Sequence, residues 1–311
     1  RILGIHMSFL KKELFDFYST MNLKSYDLNE RMRYQLAMLD GLDAFTRRHS
    51  ENVATITCNL CQYLKLDEGF TEYCTICAYL HDIGKIFIPP SILQKTSRLT
   101  DEEFEIMKTH TTIGYNMCMK DLQLRPYHAG AYYHREGLDG SGYPNGISGK
   151  EIPYEAQIIR VADEFEAITA KRQYKSHVGI VDALNIIIEH AKPSPHHNVG
   201  KVDKKIVKAL IKVVIDDTEY EISARTDYLN YLKSEIKRMQ EANKFYKKMV
   251  EAKSDEKREY FKQYTEVYLQ RTETVDECPA ILEELQEAYK TRKTQIENLY
   301  KEVKKIKKLS V

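Results

Sequence analysis

The sequence has almost no net charge and no long apolar run, and each absence excludes a class of protein. Its 311 residues include 47 basic and 46 acidic side chains, a formal charge of +1. A nucleic-acid binder that depends on a broad positive surface is therefore excluded, so we expect no DNA or RNA partner, whereas a local phosphate site is compatible with this balance. No stretch approaches the roughly 18 consecutive apolar residues of a membrane helix, so we expect no membrane span.

Cysteine is also scarce, since six cysteines in a chain of this length do not form a disulfide scaffold. Cys58 with Cys61, and Cys74 with Cys77, form two CxxC pairs that superficially resemble a zinc module. Both pairs lie in helical periodicity, whereas zinc knuckles place CxxC in tight turns, so we interpret them as buried helical thiols. Because a signal-peptide core is also absent from the first residues, we expect a cytoplasmic protein.

Glycine and proline number only 13 and 8, and they cluster between residues 84 and 200. Outside that part, apolar residues recur at steps of three and four, as at Leu36, Leu39 and Leu42, which predicts helices. Thr100 and Glu103 form a capping box and predict the start of a further helix. Other helices are predicted over residues 71–80, 156–170, 179–190 and 203–215. No run alternates convincingly as a β-strand does, so the predicted fold class is all-α.

The composition changes after about residue 217, where glycine disappears and lysine and glutamate become dense. Two sets of apolar residues then follow 3-4-3 spacing: Leu229, Leu232, Ile236 and Met239, and later Ile296, Leu299, Val303 and Ile306. This spacing predicts a coiled coil or a helical hairpin, broken near Ser254 and Pro279. We therefore divide the chain into a helical segment (1–39), a helical domain (40–216) and a helical extension (217–311), through which we expect a homodimer.

Histidine and aspartate side chains are the candidates for chemistry. His81 and Asp82 are adjacent at the end of a predicted helix, where the backbone can aim both inward. A neutral nitrogen ligand beside an anionic oxygen ligand suits iron, manganese or zinc. Asp163 lies in an apolar run, where a buried carboxylate requires a partner. The other candidates are His49, His110 and His134. Each residue alone would more often be a hydrogen-bonded core residue than a ligand.

Several short motifs occur in a fixed order within residues 40–215. They are residues 81–85 (HDIGK), 88–90 (IPP), 99–100 (LT), 110–114 (HTTIG), 134–136 (HRE), 139–144 (DGSGYP), 161–163 (VAD) and 172–175 (RQYK). This series resembles the HD-GYP domain, a branch of the HD phosphohydrolase superfamily. The resemblance implies an HD-type helical bundle that hydrolyses cyclic di-GMP to linear pGpG, with further cleavage to GMP left open.

The resemblance also implies a pair of divalent metal ions, iron or manganese, with zinc, magnesium or nickel left open. The first ion would be bound by His49, His81, Asp82 and Asp163. The second would be bound by Asp82, His110 and His134, so that Asp82 bridges the pair. Two such ions activate water at neutral pH and stabilise both oxygens of an in-line displacement. Asp82 and Lys85 would be the catalytic residues, with Lys85 reaching the scissile phosphate.

The residues that bind the cyclic dinucleotide are likewise implied by the resemblance. Gly142, Tyr143 and Pro144 would form the ligand-binding loop, in which Tyr143 stacks on the ligand or hydrogen-bonds to it. Arg172 and Lys175 would hold the phosphate that is not cleaved.

Arg135 departs from the family pattern, which usually has His-His-Glu where this chain has His134-Arg135-Glu136. A guanidinium offers donors only and stays charged, so it cannot be a ligand. At about 5 Å from a divalent ion and an effective dielectric of about 20, the repulsion would be about 6–7 kcal/mol. We therefore expect Arg135 either to weaken the second metal or, as we favour, to point outward and contact a substrate phosphate.

Phe45 is a second departure, because some family members have a glutamate there that supports a third metal. A phenyl ring supplies no ligand, so we expect two ions at most.

Two other functions stay open. Arg135 and the long extension also suit a cyclic-dinucleotide sensor that binds without turnover and signals through its C-terminal helices. The motifs do not identify the bases, so hydrolysis of cyclic GMP-AMP is the other alternative.

Overall fold

The computed structural model describes residue 38 and residues 41–170, 178–193 and 198–311. These residues contain helices and no β-strand, which confirms the all-α prediction. The helices before residue 200 are α1 (Ala44–Tyr63), α2 (Glu68–Leu80), α3 (Pro90–Leu93), α4 (Asp101–Lys120), α5 (His128–Tyr133), α6 (Tyr154–Thr169) and α7 (Ile180–His190). They are followed by α8 (Lys204–Glu251), α9 (Asp255–Glu266) and α10 (Cys278–Ile306). None of the helices within the described ranges has both the length and the apolar character that crossing a bilayer requires.

Capping residues explain where several helices begin. The Asp43 carboxylate accepts hydrogen bonds from two backbone N–H groups at the start of α1, and Thr100 and Glu103 form the predicted capping box of α4. Ser254 caps α9 close to the predicted break. The helix predicted over residues 203–215 is longer than expected. It continues as α8 to Glu251, because residues 204–251 contain no glycine or proline that would end it.

The chain separates into two compact units, of which the second spans Val214–Leu309. The first unit contains α1 to α7. The domain limits predicted from the sequence, 40–216 and 217–311, stay a prediction.

A tight helix contact in the first unit determines which residues can meet. Ile76 and Leu80 of α2 share a buried apolar cluster with Cys118 of α4. The short 3-10 turn that follows α2 lies directly on α4 at Gly84, where an added Cβ would stand 2.0 Å from the His110 carbonyl oxygen. Only glycine permits this approach. The contact therefore places the residues that precede Gly84 beside His110.

The four cysteines of the CxxC pairs are buried free thiols, Cys58 and Cys61 in α1 and Cys74 and Cys77 in α2. In the part of the chain that the structure describes, no group of three potential metal ligands includes a cysteine. Both findings agree with the interpretation of these residues as helical core thiols. Burial raises the pKa of the Cys58 thiol to about 12, which keeps it protonated and poorly suited to bind zinc.

In the second unit, α10 runs antiparallel to α8. Lys307 near the end of α10 lies 2.6 Å from Glu219 of α8, whereas Gln295, earlier in α10, accepts a hydrogen bond from Arg225, later in α8. This arrangement is a helical hairpin, one of the two alternatives predicted for the extension. A coiled coil with a second copy of the chain stays a prediction.

The connected end of this hairpin is held by Arg238 of α8. Its guanidinium donates two hydrogen bonds to the Glu273 carboxylate, at 2.7 and 2.8 Å, and two to Glu235 Oε2, at 2.8 and 3.1 Å. It also donates to the Tyr268 carbonyl oxygen at 2.5 Å. A bidentate, partly buried pair of this kind is geometrically more specific than a surface ion pair. Arg238 thus ties the segment between α9 and α10 to α8.

Candidate functional site

All six predicted metal ligands lie together in the first unit. His49 comes from α1, and His81 and Asp82 follow each other at the end of α2. The remaining three are His110 of α4, His134 at the end of α5 and Asp163 of α6. Each of the six side chains is buried. The structure therefore brings together every residue predicted for the metal pair, whereas their roles as ligands stay a prediction.

Asp82 lies at the centre of this group. Its Oδ2 atom is 3.3 Å from His81 Nε2 and 3.5 Å from His49 Nε2. Its Oδ1 atom is 3.4 Å from His110 Nε2 and 3.7 Å from His134 Nε2. The two oxygens of one carboxylate thus face two different pairs of imidazoles. This is the placement that a bridging carboxylate requires.

Backbone carbonyl groups orient three of the four imidazoles. In each case Nδ1 lies within hydrogen-bond distance of a carbonyl oxygen in the preceding helical turn. The distances are 2.6 Å from His81 to Ala78, 2.6 Å from His110 to Met107 and 2.9 Å from His134 to Gly130. A carbonyl oxygen only accepts, so Nδ1 carries the hydrogen and the Nε2 lone pair faces the group. These imidazoles are therefore oriented as metal ligands.

The nitrogen atoms of His110 and His134 are evidence that the group suits a cation. Burial lowers the pKa of His110 to about 4 and holds that of His134 well below its usual range, so both rings are neutral at pH 7. Their Nε2 atoms nevertheless lie only 3.3 Å apart. Two nitrogen lone pairs that face each other at this distance repel unless a cation lies between them.

Unsatisfied polar atoms provide a second sign of fit. His81 Nε2 and Asp82 Oδ1 are buried and have no hydrogen-bond partner among the residues that the structure describes. Buried polar atoms in native proteins are rarely left in this state. The ligand atoms of two sets, one of His49, His81 and Asp163 and the other of His81, Asp82 and His134, lie within 4.8 Å of one another. Mixed imidazole and carboxylate sets of this kind fit divalent transition metals.

Lys85 lies against the same carboxylate, with its Nζ atom 2.6 Å from Asp82 Oδ2. Burial alone would raise the pKa of Asp82, but Lys85 and His81 hold it well below its usual range. Asp82 is therefore ionised at neutral pH. The Lys85 side chain is 15% exposed, so its Nζ atom lies at the edge of the buried group, which consists of the four imidazoles around Asp82, rather than inside it.

Arg135 does not point outward, and the orientation that we favoured from the sequence is wrong. Its Nη2 atom lies 3.1 Å from Asp163 Oδ2, and its side chain is 28% exposed. Burial alone would raise the pKa of Asp163, but Arg135 and a hydrogen bond from His49 hold it well below its usual range. The attraction of this buried carboxylate explains the inward orientation. Arg135 thus engages one oxygen of a predicted metal ligand.

The predicted ligand-binding loop lies beside this group. The Tyr143 ring centroid is 6.3 Å from that of His110. A Cβ at Gly142 would lie 2.3 Å from Glu136 Cα, so glycine lets the loop pack against the backbone that follows His134. Pro144 follows Tyr143 through a cis peptide bond. The predicted phosphate-binding residues Arg172 and Lys175 lie outside the described residues.

Comparison with known proteins identifies the family. The sequence model of the family described as HD domain matches residues 34–195, just over half of the chain. The chain belongs to this family. The resemblance of the motifs to the HD-GYP branch is thereby confirmed.

Several curated proteins are similar to about half of this chain. A cyclic di-GMP phosphodiesterase from Thermotoga maritima is 37% identical over 190 residues, which cover 58% of this chain and 51% of the relative. A cyclic di-GMP phosphodiesterase response regulator from Xanthomonas campestris is 38% identical over 156 residues, 48% of this chain and 41% of the relative. A 3'3'-cGAMP-specific phosphodiesterase from Vibrio cholerae is 29% identical over 190 residues, 60% of this chain and 42% of the relative. The matches span about half the length of these relatives, or less.

Glu166 is a residue of the HD domain that the sequence analysis missed. Its carboxylate lies 2.5 Å from His49 Nδ1 and accepts a hydrogen bond from Asn52 at 2.9 Å. Burial alone would lower the pKa of His49, but hydrogen bonds with Asp163 and Glu166 raise it to about 9. Glu166 follows Asp163 by three positions in α6 and so shares its face. Helical spacing was therefore the signal that could have revealed it.

We expect Glu166→Gln to weaken metal binding by about 10- to 100-fold. A hydrogen-bond partner on the imidazole nitrogen that does not bind the metal typically changes metal affinity by about this factor. The change also removes a charge that keeps a proton on His49, so fewer protons are released on metal binding at pH 8. Calorimetric titration of the metal-free protein with Mn²⁺ in two buffers measures both quantities. The matched control is Glu164→Gln, whose carboxylate lies near His190. Equal affinities of the Glu166 variant and the wild type would contradict this role.

Arg160 is the other missed residue, and it also comes from α6. Its Nη1 atom donates to the carbonyl oxygens of Arg135 at 2.6 Å and Glu136 at 3.2 Å. Arg160 precedes Asp163 by three positions, so one face of α6 holds the backbone of Arg135 and its guanidinium. The position of Arg135 is therefore determined at two points.

Proposed function

We propose that this HD domain is a metal-dependent phosphodiesterase that hydrolyses cyclic di-GMP to linear pGpG. The observation that carries the proposal is the buried group of four imidazoles around Asp82, which has nitrogen and oxygen atoms without hydrogen-bond partners among the described residues. The names of the two relatives that act on cyclic di-GMP support the choice of substrate. Further cleavage to GMP stays open.

The residues that would hold two divalent ions are those brought together around Asp82. One set is His49, His81, Asp82 and Asp163, and the other is Asp82, His110 and His134. We propose iron or manganese, because mixed nitrogen and oxygen ligands suit both. When bound, such ions lower the pKa of water and stabilise negative charge on phosphate oxygens.

The chain's own cations bind and orient the phosphodiester. Lys85 and Arg135 are both partly exposed beside the buried group, so an anionic phosphate can reach their N–H donors. Hydrolysis adds water at phosphorus and breaks one bond to a 3′-oxygen, which leaves with a proton. The Lys85 Nζ atom lies 2.6 Å from Asp82 Oδ2, which positions it to donate a hydrogen bond to the phosphate as charge develops there.

A second candidate is a cyclic-dinucleotide sensor without turnover. The ion pair between Arg135 and Asp163 favours it, because one oxygen of a predicted ligand is already engaged. Cyclic GMP-AMP stays an alternative substrate, supported by the name of the Vibrio cholerae relative. A homodimer through residues 217–311 and a location in the cytoplasm also stay predictions.

Turnover assays separate these functions. The full chain is loaded with Mn²⁺ or, under anaerobic conditions, Fe²⁺, and its metal content is measured. It is then incubated separately with cyclic di-GMP, cyclic GMP-AMP and cyclic di-AMP, and the products are identified by mass spectrometry. We expect pGpG from cyclic di-GMP. Recovery of intact ligand bound to metal-loaded protein would reject the phosphodiesterase and support the sensor, and selective cleavage of cyclic GMP-AMP would reassign the substrate.

A further inference from the structure

A row of aromatic rings leads from the buried group to the surface of the HD domain. The Tyr143 ring, next to His110, lies 6.3 Å from the Phe104 ring in an edge-to-face arrangement. Phe104 is 43% exposed, although it is a large apolar residue. The row therefore begins at a predicted metal ligand and ends at a ring that faces solvent.

Lys108 adds a positive charge to this row. It follows Phe104 by four positions in α4, so the two side chains share a face of the helix. Its Nζ atom lies 5.0 Å from the centroid of the Phe104 ring and 5.8 Å from that of Tyr143. The same nitrogen lies 2.6 Å from Glu105, which is exposed. Contacts with two rings keep the ammonium group close to the aromatic surface.

We propose that Phe104, Lys108 and Tyr143, here called the aromatic ledge, bind one nucleotide of the cyclic dinucleotide. The purine stacks on Phe104, and Lys108 faces the adjoining phosphate. This assignment rests on the proposed function for its ligand. Phe104 and Lys108 belong to none of the motifs quoted from the sequence, so the ledge adds two residues to the site.

The chemistry of the ligand matches that of the ledge in two respects. Each base of a cyclic dinucleotide has an apolar π-face, and stacking on an exposed aromatic ring is tolerant of base identity. Each phosphate is anionic and is attracted by an ammonium group at the edge of a partly dry site. The ledge also adjoins His110. If a phosphodiester of the cyclic dinucleotide lies at the four imidazoles around Asp82, a base of the ligand therefore lies along the ledge.

A control residue is available on the same helix. Ile106 is 42% exposed, close to the value for Phe104, and it is two positions further along α4. Two positions correspond to about 200° of helix rotation, so Ile106 faces away from the ledge. Truncation at Ile106 therefore reports any general effect of removing an exposed apolar side chain from α4.

Binding of a cleavage-resistant ligand tests the proposal. The full chain loaded with Mn²⁺ is titrated calorimetrically with the bis-phosphorothioate analogue of cyclic di-GMP. We expect Phe104→Ala to raise Kd about tenfold, the loss of one base–aromatic stack, whereas Phe104→Tyr and Ile106→Ala stay within about twofold of the wild type. Lys108→Ala is expected to raise Kd at low salt and to matter less at high salt, with Lys108→Arg close to the wild type.

The possible outcomes distinguish a failure of the ledge proposal from a failure of the phosphodiesterase proposal. Wild-type affinity in Phe104→Ala would overturn the ledge and leave the phosphodiesterase proposal intact. Weaker binding by Phe104→Ala, in a chain that never cleaves cyclic di-GMP, would support the ledge and reject the enzyme. A wild-type chain that does not bind the analogue would overturn the ledge as well. Equal losses in Phe104→Ala and Ile106→Ala would show a general disturbance of α4 and reject the subsite.

Discussion

Asp82→Asn is expected to abolish metal binding and to lower turnover of cyclic di-GMP by about a thousandfold or more. The two carboxylate oxygens of Asp82 face all four imidazoles, at 3.3 to 3.7 Å. An amide offers one oxygen acceptor and no negative charge, so it cannot serve both sides. Metal-assisted stabilisation is worth several kcal/mol, and each 1.36 kcal/mol is a factor of ten in rate.

Metal content of the purified variant and its single-turnover rate are the measurements for Asp82. Its circular dichroism should match that of the wild type, because α2 and the Gly84 contact do not depend on the carboxylate. Asp101→Asn, an exposed carboxylate at the start of α4, is the matched control. Full metal content in Asp82→Asn would show that Asp82 is not the bridging residue.

Arg135→His has the second large expected effect and should raise occupancy of the second metal position. The change removes the positive charge that now pairs with Asp163, a predicted ligand of the first ion, and it adds an imidazole next to His134, a predicted ligand of the second. At an effective dielectric of about 20, a guanidinium about 5 Å from a divalent ion costs about 6–7 kcal/mol. Inductively coupled plasma mass spectrometry after loading with excess Mn²⁺ and removal of unbound ions gives the metal-to-chain ratio, which we expect to move towards two.

Two further variants separate the causes at this position. Arg135→Ala removes the charge without adding a ligand and should give an intermediate ratio. Arg135→Lys keeps the charge and should behave as the wild type does. An unchanged ratio in Arg135→His would show that the guanidinium does not limit the second position.

Local sequence signals predicted the parts of the fold that depend on neighbouring residues. The capping box of Thr100 and Glu103 was correct because both partners lie within one helical turn. The predicted helix break near Ser254 was also correct, because the Ser254 side chain caps the next helix by accepting a hydrogen bond from the Lys257 N–H group. The end predicted near Ile215 was wrong, because residues 204–251 form one helix with no glycine or proline to end it.

Long-range contacts account for what the sequence did not reveal. Arg135 turns inward because Asp163, 28 positions later, lies opposite it. Glu166 was missed because its partner His49 is on a helix 117 positions earlier. The predicted ligands do lie together in the structure. The sequence motifs could identify them because the motifs do not depend on knowing which residues are in contact. Sequence patterns thus named the members of the site, whereas their pairing required the assembled helices.

The carbonyl contacts of His81, His110 and His134 have a consequence for the thermodynamics of ion capture. Each ring is locked by the main chain of its own segment, at 2.6 to 2.9 Å. The rotational freedom of these side chains is therefore lost when the helices form, before any proposed metal ion would bind. Little ordering entropy would then oppose the binding of a metal ion by the proposed ligands.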